Sequence, residues 1–175
     1  MRIKFINISA AILLFLFIST NARAQWKSNR LTPAHFNSIT FNDLKFSELK
    51  KTKGDELEMQ KLRQADRVCE GGKEIGEKWR SFHYNDGLSV YFSGLSKSQK
   101  PHITKIEANS ITIKNKKVKL GDGINSLGQN IVISNKNDKS VFYSFTSEDS
   151  DCCLVSIEVS SNTNNIIKII YFVQT

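Results

Sequence analysis

Apolar and polar residues alternate through Leu88-Ser89-Val90-Tyr91-Phe92 and again through Val155-Ser156-Ile157-Glu158-Val159. A period of two turns every second side chain to one face, so each run predicts a strand with one buried side. Residues 78–84 and 103–108 predict strands around the first run, and 140–145 and 166–172 around the second. Asn85-Asp86-Gly87 is a strong hairpin signal, because its residues accept the positive φ of a tight turn. Two stretches open alike, Ile39-Thr40-Phe41-Asn42 and Ile111-Thr112-Ile113-Lys114. Each continues through a polar turn into a short apolar–polar segment, 43–46 or 117–120, and then into a helical candidate, 47–54 or 122–128. Ser47 and Asp122 are the expected N-caps, and Gly54 and Gly128 the left-handed ends. The first stretch also carries a helical segment at 55–67, whose Leu57 and Leu62 can face a core.

Helix then strands, twice in the same order, predicts an α+β fold: a tandem repeat of a short helix followed by an antiparallel β-meander, with the helices on one face of the sheets. The expected division is a signal peptide at 1–24, an N-terminal extension at 25–38, a first α+β unit at 39–108 and a second at 109–175.

The signal peptide rests on charge and hydropathy. Arg2 and Lys4 precede an apolar stretch, Ala10 to Ile18, and Ala22-Arg23-Ala24 supplies the small-residue cleavage pattern. A stretch this short does not span a bilayer comfortably. Cleavage after Ala24 leaves a chain starting at Gln25, with 22 Lys+Arg against 17 Asp+Glu. No Cys stands near the junction, so a lipid anchor is not expected. The expected location is the periplasm or the outside of the cell, with no membrane span after cleavage. Export also argues against nucleic acid as a partner. The lysines at 97–105 and in Lys114-Asn115-Lys116-Lys117 are read as solvated edge protection of strands, the alternative being a basic surface that binds a polyanion.

The short helices ending near Gly54 and Gly128, with the strands after each, resemble exported bacterial proteins built from tandem helix-plus-antiparallel-sheet units. Examples are the β-lactamase inhibitory proteins and the outer-membrane assembly lipoproteins of the SmpA/OmlA type. The resemblance spans about residues 39–172 and implies a binding scaffold. The chain departs from these families in lacking a lipidated Cys and one disulfide per unit.

Cys69, Cys152 and Cys153 meet an oxidising environment after export. A bond between adjacent Cys152 and Cys153 is strained, and strand phase puts Cys153 on the core side with Val155 and Ile157. The expected disulfide is therefore Cys69–Cys153 with Cys152 free; the alternative is three unpaired thiols. A hydrolase would need Cys69 or Cys152 beside His83 or His102, with Asp86 or Asp151 behind the base. No local signature supports that set. The histidines are spread out and no C-x-x-C pair exists, so no metal or other cofactor is expected, although His83, Asp86 and His102 could meet in space. Glu148-Asp149-Ser150-Asp151 lacks calcium-loop spacing and reads as a solvated turn.

The expected binding residues are aromatic: Trp79, His83, Tyr84 and Tyr91. Trp79 and Tyr84 have opposite parity, so a regular strand sends them to opposite faces. Exposed Trp and Tyr on a rigid sheet are the side chains that anchor protein interfaces. The resulting expectation is an exported, non-enzymatic protein-binding module, such as an inhibitor, immunity or envelope-accessory protein, with another protein as partner. The alternatives are a small secreted hydrolase with Cys/His chemistry and a basic polyanion-binding surface protein.

Overall fold

The structure, a computed structural model, describes residues 27–72, 78–96 and 98–173. The expected signal peptide and its cleavage site lie outside the described residues. Of those described, 48% are strand and 16% helix.

The strands form two sheets. The larger contains, in spatial order, β1 (Asn29–Leu31), β11 (Ser140–Ser147), β12 (Ser150–Ser160), β13 (Ile166–Val173), β7 (His102–Ala108), β6 (Ser89–Ser93), β5 (Trp79–His83) and β4 (Arg67–Gly71). The short β10 (Asn135–Lys136) also pairs with β11. Every pairing is antiparallel except β1 on β11. The smaller sheet runs β3 (Leu44–Lys45), β2 (Thr40–Phe41), β8 (Ser110–Ile113), β9 (Lys116–Lys119). Three helices lie between strands: α1 (Pro33–Asn37), α2 (Phe46–Thr52) and α3 (Glu56–Leu62).

This corrects the expected tandem α+β repeat. The protein is mostly β, with one continuous nine-stranded mixed sheet in place of a meander under each helix. All three helices precede β4, and the helix expected at 122–128 is a four-residue 3-10 turn, Ile124–Leu127. Only four residues separate Gly123 from Gly128, too few to repay the cost of starting an α-helix. A 3-10 turn still aligns residues three apart, and Ile124 and Leu127 are both buried. Asp122 is no N-cap; its carboxylate accepts from the Lys119 amide and its carbonyl from the Ile166 amide. Ser47 is not one either, since α2 starts at Phe46 after Lys45 without a side-chain cap. In α3 the core residue is Met59, while Leu57 is 68% exposed.

The alternation runs are strands as expected, and their registers build the core. Val68, Phe82, Val90, Ile106, Tyr171, Val155 and Phe145 stand side by side across seven strands. All but Val68 are buried. Phe41, Ile111, Ile113 and Val118 of the small sheet and Phe36, Phe46, Leu49 and Met59 of the helices join the same core. Each such side chain contributes roughly 1.5–3 kcal/mol on full burial. Lys116, Lys117 and Lys119 are exposed on β9, the edge of the small sheet, and only Val118 turns inward. That placement fits edge protection.

The ends of several elements meet on Asn42, buried in the β2–β3 turn at φ 44°. Its Oδ1 accepts from the Asn109 and Ser110 amides at 3.0 and 2.9 Å, and its Nδ2 donates to the Asp86 carbonyl at 2.9 Å. Arg63 forks onto both Asp86 carboxylate oxygens at 2.9 and 3.0 Å and stacks on Tyr84, 4.3 Å from the ring centroid. Partial burial works to raise the Asp86 pKa, but hydrogen bonds from Asn42, the Leu88 amide and Arg63, with the Arg63 charge, outweigh it and hold the carboxyl below its ordinary value.

The expected Cys69–Cys153 disulfide is not formed. Cys69 is free on β4, and Cys152 and Cys153 are joined to each other on β12. Five strand spacings separate β4 from β12, about 24 Å at roughly 4.8 Å per strand, far beyond disulfide reach. Strand phase did place Cys153 toward the core, against which it packs.

Candidate functional site: a lysine-rimmed cleft at one end of the core

Two surfaces carry candidate residues. The first is the outer face of the large sheet. Trp79, Ser81 and His83 of β5 share it with Tyr91 of β6 and with Lys105 and Glu107 of β7, as the registers require. Three of the four expected binding residues, Trp79, His83 and Tyr91, are thus neighbours. Tyr84 is not among them: it is buried under the Arg63 guanidinium, and burial raises its phenol pKa. Trp79 is 41% exposed. Its indole lies over Gly71, where a Cβ would run into the ring.

Six polar side chains of this face, Ser81, His83, Ser89, Tyr91, Lys105 and Glu107, pair with one another. His83 Nε2 is 2.9 Å from Ser81 Oγ and its Nδ1 is 3.0 Å from Ser89 Oγ, so a neutral ring accepts from one serine and donates to the other. Tyr91 donates to Glu107 at 3.4 Å, and Lys105 pairs with Glu107 at 3.1 Å while standing over the Tyr91 ring. Burial lowers the His83 pKa from its ordinary 6.5; Arg67 and Lys105 lower it further, and Glu107 opposes them. A depressed value in the folded state means stability is full above the unfolded pKa and is lost as pH falls through the folded one. We therefore expect wild-type stability in urea to fall between about pH 7 and pH 5, and His83→Gln to fall measurably less over that window. Equal slopes would show that His83 is not held neutral.

The second surface is concave. A cleft of about 740 Å³ opens between α1, α2 and the ends of β7, β12 and β13. Local sequence builds its walls. Thr32 caps α1 by accepting from the His35 amide, Pro33 starts the helix, and Phe36 is turned inward. The Phe36 ring meets Phe46 edge-on at 5.6 Å, and Phe46 lies 4.8 Å from the ring of Tyr171. Ile103, Val173 and the Cys152–Cys153 pair complete an apolar lining. Volume and lining are those of a small-molecule site.

The rim is basic: Lys50, Lys53, Lys100 and His102 line the cleft, with Asp149 the only acid lining it among the described residues. Asp149 accepts from Ser147, and Lys50 reaches Asn37 at 3.4 Å. Lys53 and Lys100 have no side-chain partner among the described residues, and neither does the Tyr171 hydroxyl. Burial pushes the Tyr171 phenol up to about 12, so it stays protonated and able to donate. Lys53 takes the left-handed end of α2 at φ 52°, and Gly54 follows at φ 71°. Only glycine fits at 54, because a Cβ there would stand 2.8 Å from the Phe92 ring.

The other constellations are not assembled. His102 shares the cleft with Cys152 and Cys153, but its Nδ1 lies 3.1 Å from the Lys100 carbonyl, and Cys152 Sγ lies 3.0 Å from Ser150 Oγ. No cysteine–histidine hydrogen bond occurs among the described residues, and Cys69 faces Ser81 on the outer sheet. His83, Asp86 and His102 have separate partners, and no three metal-ligating side chains cluster among the described residues. No helix among those residues is long and apolar enough to cross a membrane. The sequence pointed to the aromatic strand pair and missed the cleft. Its lining comes from distant segments with no shared motif.

The chain matches no protein-family model, no curated protein and no solved structure.

Proposed function

We propose that the chain is an exported, non-enzymatic binding module that takes an apolar ligand into the cleft between α1, α2 and the ends of β7, β12 and β13. One observation carries this reading. On the outer sheet face Ser81, His83, Ser89, Tyr91, Lys105 and Glu107 are paired with one another, whereas at the cleft an apolar lining meets Lys53, Lys100 and the Tyr171 hydroxyl, none with a side-chain partner among the described residues. Groups left unpaired around a concave apolar surface are those a ligand can satisfy. A protein partner on the outer face is the second reading, favoured by the exposure of Trp79 beside His83 and Tyr91.

The test uses protein recovered after export, its N-terminus checked by mass for a start at Gln25. The neutral fluorophore N-phenyl-1-naphthylamine should bind saturably at one site, with enhanced emission. Asn37→Trp, which fills the cleft from the end of α1, should abolish the enhancement while leaving the circular dichroism unchanged. Absence of saturable binding, or equal binding by the variant, would remove the cleft as the site.

A further inference from the structure

We infer that the ligand is an unbranched aliphatic carboxylate, its chain against the aromatic floor and its carboxylate at the lysine rim. This rests on the cleft being the binding site and adds the chemical class of what it binds.

The charge comes from Lys50, Lys53 and Lys100, which line the cleft with Asp149 as the only lining acid among the described residues. Lys50 Nζ is 5.3 Å from the Phe46 ring centroid and borders both apolar floor and solvent. An anionic head at that height is attracted without any lysine being stripped of water, which avoids the desolvation cost of a buried ion pair. The attraction is screened by salt, as for any exposed charge.

The body of the ligand follows from what the floor cannot do. Phe36, Phe46, Ile103 and Val173 offer no side-chain hydrogen bond. A peptide laid along them would carry amide groups out of water without partners, each a loss of the kind that excludes polar groups from apolar sites. An acyl chain has nothing to satisfy. Its methylenes gain from transfer out of water, and the flexible chain fits a floor shaped by rings at differing tilts. The Tyr171 hydroxyl, protonated at neutral pH, is a further donor for a carboxylate oxygen.

The test is displacement of N-phenyl-1-naphthylamine by three probes of one chain length: dodecanoate, dodecan-1-ol and dodecyltrimethylammonium. We expect dodecanoate to compete about ten-fold more tightly than the alcohol, and the cation most weakly. Lys50→Gln, Lys53→Gln and Lys100→Gln combined should erase the preference for the acid over the alcohol. The preference should also vanish as pH is lowered through the carboxylate range, about pH 5 to 4. Equal competition by acid and alcohol, or a preference surviving the triple variant, overturns the anion inference and leaves the cleft reading standing. A dodecapeptide with a free C-terminus that competes more tightly than dodecanoate overturns the aliphatic class. If neither the fluorophore nor any probe binds, the cleft reading itself falls.

Discussion

Phe46→Ala should destabilise the protein by about 3–5 kcal/mol, the range for removing a fully packed aromatic ring. Phe46 is 3% exposed and touches the rings of Phe36, Phe41 and Tyr171, which reach it from α1, β2 and β13. Its removal loses the contacts with all three rings as well as the transfer energy of the side chain. Phe46→Leu keeps much of the volume and should cost less than about 2 kcal/mol. Equilibrium unfolding in urea with an unchanged slope checks both values. A cost below about 1 kcal/mol for the alanine variant would mean that Phe46 does not pack between helix and sheet. The same ring floors the cleft, so the leucine variant, which still folds, should bind the naphthylamine more weakly.

Asn42→Ala should cost about 3 kcal/mol, lowering Tm by roughly 6–12 °C for a chain of this size. Its side chain satisfies the amides of Asn109 and Ser110, which join β7 to β8, and its own amide holds the Asp86 turn. Alanine leaves those donors without the acceptor and also forces a Cβ-bearing residue with no compensating polar group to hold φ 44°. Asn42→Gly separates the two causes, because glycine accepts the dihedral and still lacks the hydrogen bonds. It should recover at most about 1 kcal/mol. Full recovery with glycine would reduce Asn42 to a backbone device.

The sequence disclosed what depends on local pattern. Leu88, Val90 and Phe92, like Val155, Ile157 and Val159, alternate because one sheet face is buried, and all six are buried. Parity correctly sent Trp79 and Tyr84 to different environments. What stayed hidden was set by long-range pairing or weak local signal. β4 carries Val68 and Glu70 on one face, Glu70 being salt-bridged to Arg80 at the sheet margin, so no apolar alternation marks it. β1 and β10 are too short to show a period. Strand phase told which way Cys153 points but not how many strands lie between it and Cys69. The cleft was illegible for the same reason: Phe36, Phe46, Ile103 and Tyr171 converge only after β7 and β13 pair.

That last pairing has a consequence for the order in which the chain can fold. β7 ends at residue 108, and its partner across the sheet is β13, the last described strand. β2 awaits β8, and β1 awaits β11. A nascent chain lacking β13 leaves β7 with an open edge and Tyr171 missing from the aromatic stack, so neither sheet–helix core nor cleft can close. Such non-local closure makes folding slow, and the chain commits to its core only once residues 166–173 can pair with β7.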